Sequence, residues 1–197
     1  MKRVLLILLV LTLVMGCGKR KVTRLETDTV TDLSGKWNDT DSRLVAQEMI
    51  SDCLTRVWVT DFAAAEGRKP VVTVGTIRNR SSEHINTETF SKDFERELIN
   101  SGKVKFVASR EQRGEIRDER MDQQEFASLE TAKRMAQETG ADFLLYGGIN
   151  TIEDQLGGTR IMYYQTDLEL INIETNEKAW IGTKKIKKEI TKAGTKW

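Results

Sequence analysis

One histidine, one proline and two cysteines leave this 197-residue chain with little of what enzymes and small secreted scaffolds are built from. His84 alone cannot make a multi-histidine metal centre, and two cysteines supply neither a disulfide framework nor a Cys-rich zinc site. A single proline against 14 glycines excludes collagen-like and Pro-rich low-complexity character. Charge of one sign is lacking as well. Lysine plus arginine total 31 against 30 acidic residues, a formal charge of +1, and a general nucleic-acid binder would be strongly basic. What remains is 39% hydrophobic and 31% charged, enough for one good core or at most two small ones.

The N-terminus reads as an address. Lys2 and Arg3 precede an apolar run from Val4 to Val14, broken only by Thr12, which matches the charged and hydrophobic regions of a secretory signal peptide. At about 1.5 Å per residue the run spans roughly 17 Å, well short of the ~30 Å of a bilayer core. It stops at Val14-Met15-Gly16-Cys17, which resembles a bacterial lipobox, where a cysteine thiol receives a diacylglycerol and the signal is cut in front of it. The expected organisation is therefore a signal peptide over 1–16, a lipidated Cys17 with a flexible tether over 17–38, and a single globular domain over 39–197. Covalent lipid on Cys17 is the only expected non-protein group, with no other cofactor. Gly18 in place of aspartate resembles an outer-membrane address. Cys53 is then left alone, on an apolar stripe with Met49, Ile50 and Val57, and reads as a buried structural thiol.

Along the mature chain, apolar pairs from Leu44 to Phe62 recur every three to four residues and predict one long helix starting at Asp39-Thr40-Asp41. Pro70 introduces a β-branched strand through Ile77, and a polar loop runs from Arg78 to Asn86. Thr87 caps a helix carrying Phe90, Phe94 and Leu98. A short strand follows at 104–108, then charged helical stretches over 110–125 and from Ser128 to Gly140. Strands are expected over Phe143–Ile149, Ile161–Ile173 and 178–190, the first two joined by a Gly157-Gly158 hairpin. Trp37 is expected to pack back onto the fold. The fold class is α/β (α+β): a single sandwich with helices on a mixed, partly antiparallel sheet of about five strands.

Two segments could meet a partner. The first holds Arg78, Asn79, Arg80, Ser82, Glu83 and His84. Neighbours in sequence rarely reach triad geometry, and no GxSxG elbow surrounds Ser81 or Ser82, so recognition or loop bracing is the reading rather than hydrolysis. The second is the lysine-rich C-terminus with Lys184, Lys185 and Lys187, where lysine also guards an edge strand against pairing. Near-neutrality is a sum of opposites: without residues 1–16, which hold Lys2 and Arg3, the net is −1, and since residues 18–24 carry +4 and 181–197 carry +5, the body over 25–180 carries −10.

Several long blocks carry a family resemblance: the lipobox; Asp32-Leu33-Ser34-Gly35-Lys36-Trp37-Asn38-Asp39-Thr40-Asp41-Ser42-Arg43-Leu44; Val72 to Thr87; Glu138-Thr139-Gly140-Ala141-Asp142-Phe143; and Tyr163-Tyr164-Gln165 through Asn172 to Glu177. Together they resemble the LpoB family, outer-membrane lipoproteins that activate bifunctional class A penicillin-binding proteins. The resemblance implies a fold like the N-terminal domain of TolB and a regulatory, non-enzymatic role in peptidoglycan synthesis. It also implies a location on the periplasmic side of the outer membrane. The implied partners are a class A penicillin-binding protein, the membrane through the lipid and peptidoglycan as a further contact, with no nucleic acid, for a monomer. Family members with a long, Pro-rich tether differ from this chain, whose tether is short and proline-free. A second reading is a structural or secretion-assembly lipoprotein of the curli type. The lysines of the last hairpin argue against a membrane-spanning barrel wall.

Overall fold

A computed structural model describes residues 22–109, 112–119 and 140–191. Signal peptide, Cys17, the 128–140 helix and the last lysines, Lys192 and Lys196, lie outside the described residues. Residues 22–30 form a unit of their own without helix or strand. The compact domain begins at Thr31.

Its first helix, α1 (Asp39–Thr55), opens where the sequence places it. Asn38 is the cap: its side chain accepts from the Asp41 N–H at 3.0 Å while the Asp41 carboxylate accepts from the Asn38 N–H at 2.9 Å, so two orphan donors are satisfied reciprocally. The expected long helix is in fact two. The Cys53 carbonyl is taken by the Trp58 indole N–H at 2.7 Å and by the Arg56 N–H at 3.4 Å. The ladder therefore breaks at Arg56, which is extended, and α2 (Trp58–Glu66) starts anew. Trp58 and Phe62 both pack on Phe143, with ring centroids 4.9 and 5.3 Å away.

Strand β1 (Val71–Arg80) is followed by α3 (Thr87–Asn100), capped by Asn86 rather than Thr87. Asn86 Oδ1 accepts from the N–H groups of Glu88 and Thr89, and Phe90, Phe94 and Leu98 are buried at four-residue spacing. Then come β2 (Lys105–Phe106), helical residues 112–119, β3 (Phe143–Leu156), β4 (Thr159–Asn172) and β5 (Lys178–Thr191). The sheet order is β2-β1-β3-β4-β5, parallel across the first three strands and antiparallel across the last three. This is the mixed five-stranded sheet expected. At the start of β3, Asp142 ties three elements together: it accepts both Arg68 guanidinium nitrogens, at 2.7 and 2.8 Å, and the Val71 N–H at 2.8 Å. The Arg68 bonds hold its pKa below the ordinary carboxylate value.

All long strands bury one face. Val72, Phe143, Leu145, Ile149, Leu168, Leu170 and Trp180 meet the helices in the core. Close strand approach depends on Gly147, where an added Cβ would lie 2.0 Å from the Asp167 carbonyl oxygen.

Residues 32–38, read from the sequence as tether, belong to the domain and form a strap over this helical side. Trp37 inserts edge-on against Phe90 and Tyr164, at 5.6 and 5.5 Å, and its indole N–H donates to Ser42 Oγ at 2.8 Å. Gly35, at φ +69°, offers its carbonyl to the Tyr164 hydroxyl at 3.3 Å and leaves no room for a Cβ against Ile190. Lys188 on β5 closes the clamp: its Nζ reaches Asp32 at 2.5 Å, Asp41 at 2.7 Å and the Lys36 carbonyl at 3.2 Å. The Lys188 side chain is only 9% exposed. Burial opposes its charge, but the two carboxylates outweigh that and raise its pKa above the ordinary lysine value of 10.5.

Two outcomes follow from this packing. Gly147→Ala should lower stability by about 1–3 kcal/mol in urea unfolding, since β3 and β4 must separate to admit the methyl. Lys188→Met should cost about 3–5 kcal/mol, because it leaves the buried Asp41 charge uncompensated. Wild type should also lose stability as pH climbs past 10.5 and through the raised lysine pKa, a fall the variant lacks. A loss under about 1 kcal/mol on either count would reduce the clamp to an ordinary surface pair.

Candidate functional site

The sheet's other face carries a different chemistry. Register places Arg80, Asn150, Gln165 and Lys185 side by side across β1, β3, β4 and β5. The next row is Ile152, Tyr163 and Lys187, and beyond it Asp154, Ile161 and Glu189. A cleft of about 460 Å³ lies over Gly148, between Arg78 and Arg80 on one side and Asp167 and Glu169 on the other. Asp167 is held by neutral donors: Gln165 Nε2 at 2.9 and 3.0 Å and the Thr183 hydroxyl at 2.7 Å. Glu169 accepts from Lys178 at 2.8 Å and from the Tyr146 hydroxyl at 2.5 Å. Both bonds, Lys178 first, lower the Glu169 pKa, and the bond to Glu169 raises that of Tyr146. No described carboxylate pairs with Arg78, Arg80, Lys185 or Lys187.

The sequence candidates therefore separate. Arg78, Asn79 and Arg80 are on β1, not in a loop, because β3 continues alongside and pairs with Asn79 and Arg80 through Ile149 and Asn150. Arg78 and Arg80 point onto the cleft. Asn79 braces the 81–86 loop, donating to the Glu83 carbonyl at 2.7 Å and accepting from Ser81. Glu83 is not a free recognition group: its carboxylate accepts the Trp37 backbone N–H at 3.1 Å and so holds the strap. Ser82 and His84 are exposed, and among the described residues no hydrogen bond links His84 to Ser81, Ser82 or Glu83. Nor do the three lysines form one patch. Lys184 turns to the helical side and pairs with Glu48 of α1, whereas Lys185 and Lys187 lie on the open face with Arg80.

Sequence reading stopped β3 at Ile149 and so missed Ile152 and Leu156, which are 66% and 87% exposed. The signal was the turn itself. A two-residue Gly157-Gly158 loop pairs Leu156 with Thr159, so each residue back along β3 has a partner on β4. It also missed Lys188 as a clamp, since alternation reveals a face but not what lies across it.

Among the described residues no group of three or more His, Cys, Asp or Glu side chains is placed to hold a metal ion. No described helix is long and apolar enough to cross a membrane. Cys53 is 1% exposed, and burial pushes its thiol up to about 12, which makes it inert at neutral pH. Cations without described carboxylate partners, oriented amides and fixed carboxylates on one sheet face are equipment for binding.

Solved structures with similarity to this chain include the LpoB C-terminal domain from Escherichia coli, at 18% identity and TM-score 0.40, covering 74% of this chain and 98% of that one. The LpoB C-terminal domain from Salmonella enterica is 21% identical with TM-score 0.35, covering 65% and 91%. Lipoprotein GNA1162 from Neisseria meningitidis is 12% identical with TM-score 0.38, covering 64% and 88%. No match is found among the curated proteins. The family model "Peptidoglycan-synthase activator LpoB" matches residues 41–186, a span that runs from the clamped start of α1 to the basic strand β5, and on that match the chain belongs to the LpoB family of peptidoglycan-synthase activators.

Proposed function

We propose that this protein is a lipid-anchored activator of a class A penicillin-binding protein. Residues 1–16 are removed, Cys17 takes the lipid, and the domain stands on the periplasmic side of the outer membrane. It makes and breaks no bond itself. Its work is to bind the synthase and favour the active state, which requires only that it bind that state more tightly. The family match over 41–186 carries this reading, and the open face supports it by offering binding groups without a nucleophile–base pair.

The strap sharpens the geometry of anchoring. With residues from 31 onward in the domain, only residues 18–30 separate it from Cys17, and 13 residues reach at most about 45 Å. Thr31, where the chain enters the domain, therefore stays within that distance of the anchor, and the synthase must be met within that reach plus the breadth of the domain.

Adding the detergent-solubilised lipoprotein to a purified class A synthase should raise its rate of glycan polymerisation, and the two should co-purify. Absence of both would remove the activator role. In cells, Cys17→Ser should abolish incorporation of labelled palmitate and release the protein from the outer-membrane fraction. Retention there would show that the anchor is not this cysteine.

A further inference from the structure

The distal halves of β3, β4 and β5 form a three-stranded arm with two unlike sides. Its helical side is backed by the strap: Tyr164 and Met162 are fully buried, Trp37 and Gly35 lie against Tyr164, and Lys188 is clamped. Among the described residues no helix or strand covers the other side. There Ile152 and Leu156 stand 66% and 87% exposed beside Ile161 and Tyr163. An apolar group of this kind on a soluble face marks a contact surface, and backing by the strap fixes its shape, so little ordering cost remains to be met on binding.

Charge around the group is polarised. Arg80 and Lys185 border it on the side of the domain body and Lys187 flanks Tyr163 on β5, without described carboxylate partners, whereas Asp154 and Glu189 flank Ile161 one row nearer the tip, with Leu156 beyond them. Asp154 and Glu189 on this face disfavour insertion into an anionic bilayer. A glycan chain is held in concave sites, and the cleft over Gly148 ends at Asn150, short of Ile152. A protein surface with an apolar centre and carboxylates facing Arg80, Lys185 and Lys187 fits both features. The geometry points to the open face of this arm, centred on Ile152 and Tyr163 and steered by Arg80, Lys185 and Lys187, as the surface that docks an acidic-rimmed apolar patch on the synthase. This rests on the activator reading above and adds to it where, and by what chemistry, contact is made. From Gly148 to Leu156 at ~3.4 Å per residue, and across four strands at ~4.8 Å, the face measures about 30 Å by 14 Å. That is the scale of a reversible contact.

Binding of the full lipoprotein in detergent to purified synthase tests it, read by fluorescence anisotropy and by stimulation of polymerisation. Ile152→Asp should weaken affinity at least tenfold. Lys185→Glu with Lys187→Glu should slow association about tenfold at low salt and flatten its salt dependence. Ile99→Asp, 53% exposed on α3 in the helical layer, should change neither. Circular dichroism and thermal melting identify any variant that has lost its fold. For such a position a photoreactive residue at 152 replaces the substitution and should crosslink to the synthase. Wild-type binding that all variants retain, or a crosslinker at 152 that never captures the synthase, overturns the surface and leaves the activator role standing. Failure of wild type to bind overturns both. Should Ile152→Asp instead abolish retention on sacculi, binding to phosphatidylglycerol vesicles or self-association in light scattering, the occupant is glycan, lipid or a second copy, and the assignment to a protein surface falls.

Discussion

A single ammonium group organises one end of this domain. Lys188 Nζ gathers Asp32 from the strap, Asp41 from the first turn of α1 and the Lys36 carbonyl, and it comes from β5, so the strap and the helix that follows it meet a strand far along the chain at one buried charge. Two carboxylates without the lysine would repel each other, and burial alone already drives the Asp41 pKa up. The lysine without them would be a buried, unpaired cation. Each part is tolerable only because the others are present, which makes the clamp a device for specificity of arrangement more than a source of net stability.

From that clamp the strap's other contacts follow. Once Asp32 and Asn38 are fixed, Trp37 has one place to go, the gap between Phe90 and Tyr164, and its backbone N–H falls on Glu83. The 81–86 loop is thereby tied to the point where the chain comes into the domain. The Tyr164 hydroxyl is pushed up by burial and by the nearby Glu83 charge, so it stays a neutral donor to Gly35. The strap turns what would be a two-faced hairpin, exposed on both sides, into an arm with a closed back and an open front.

The fold was legible in the sequence wherever periodicity and punctuation acted together. Phe90, Phe94 and Leu98 gave a helix face, Gly157-Gly158 a hairpin, and Tyr164, Thr166, Leu168 and Leu170 the buried side of β4. Misreadings share one cause, long-range partnership. The break between α1 and α2 is made by an indole bonding to the Cys53 carbonyl, and no local residue announces it. Arg78–Arg80 looked like loop because their composition is polar, whereas pairing with β3 makes them strand. Lys184 and Lys185 are neighbours in sequence but sit on opposite sides of the sheet, as a period of two requires. The strap was hidden most deeply, for a polar, glycine-containing segment gains much of its order from Glu83, Phe90, Tyr164 and Lys188, all far along the chain.

On the proposed reading, the short leash and the small docking face explain one another. A domain held within about 45 Å of its anchor samples a restricted volume, and such confinement gives effective concentrations of the order of millimolar. A face of about 30 Å by 14 Å need then supply only modest intrinsic affinity to be occupied, and modest affinity means rapid release. A larger or more apolar surface would bind more tightly, but it would also expose the free lipoprotein to self-association through the long edge of β5, where lysines alternate along the strand. The balance of four apolar side chains against three cations and two carboxylates fits a regulator that must find its synthase, act on it and let go.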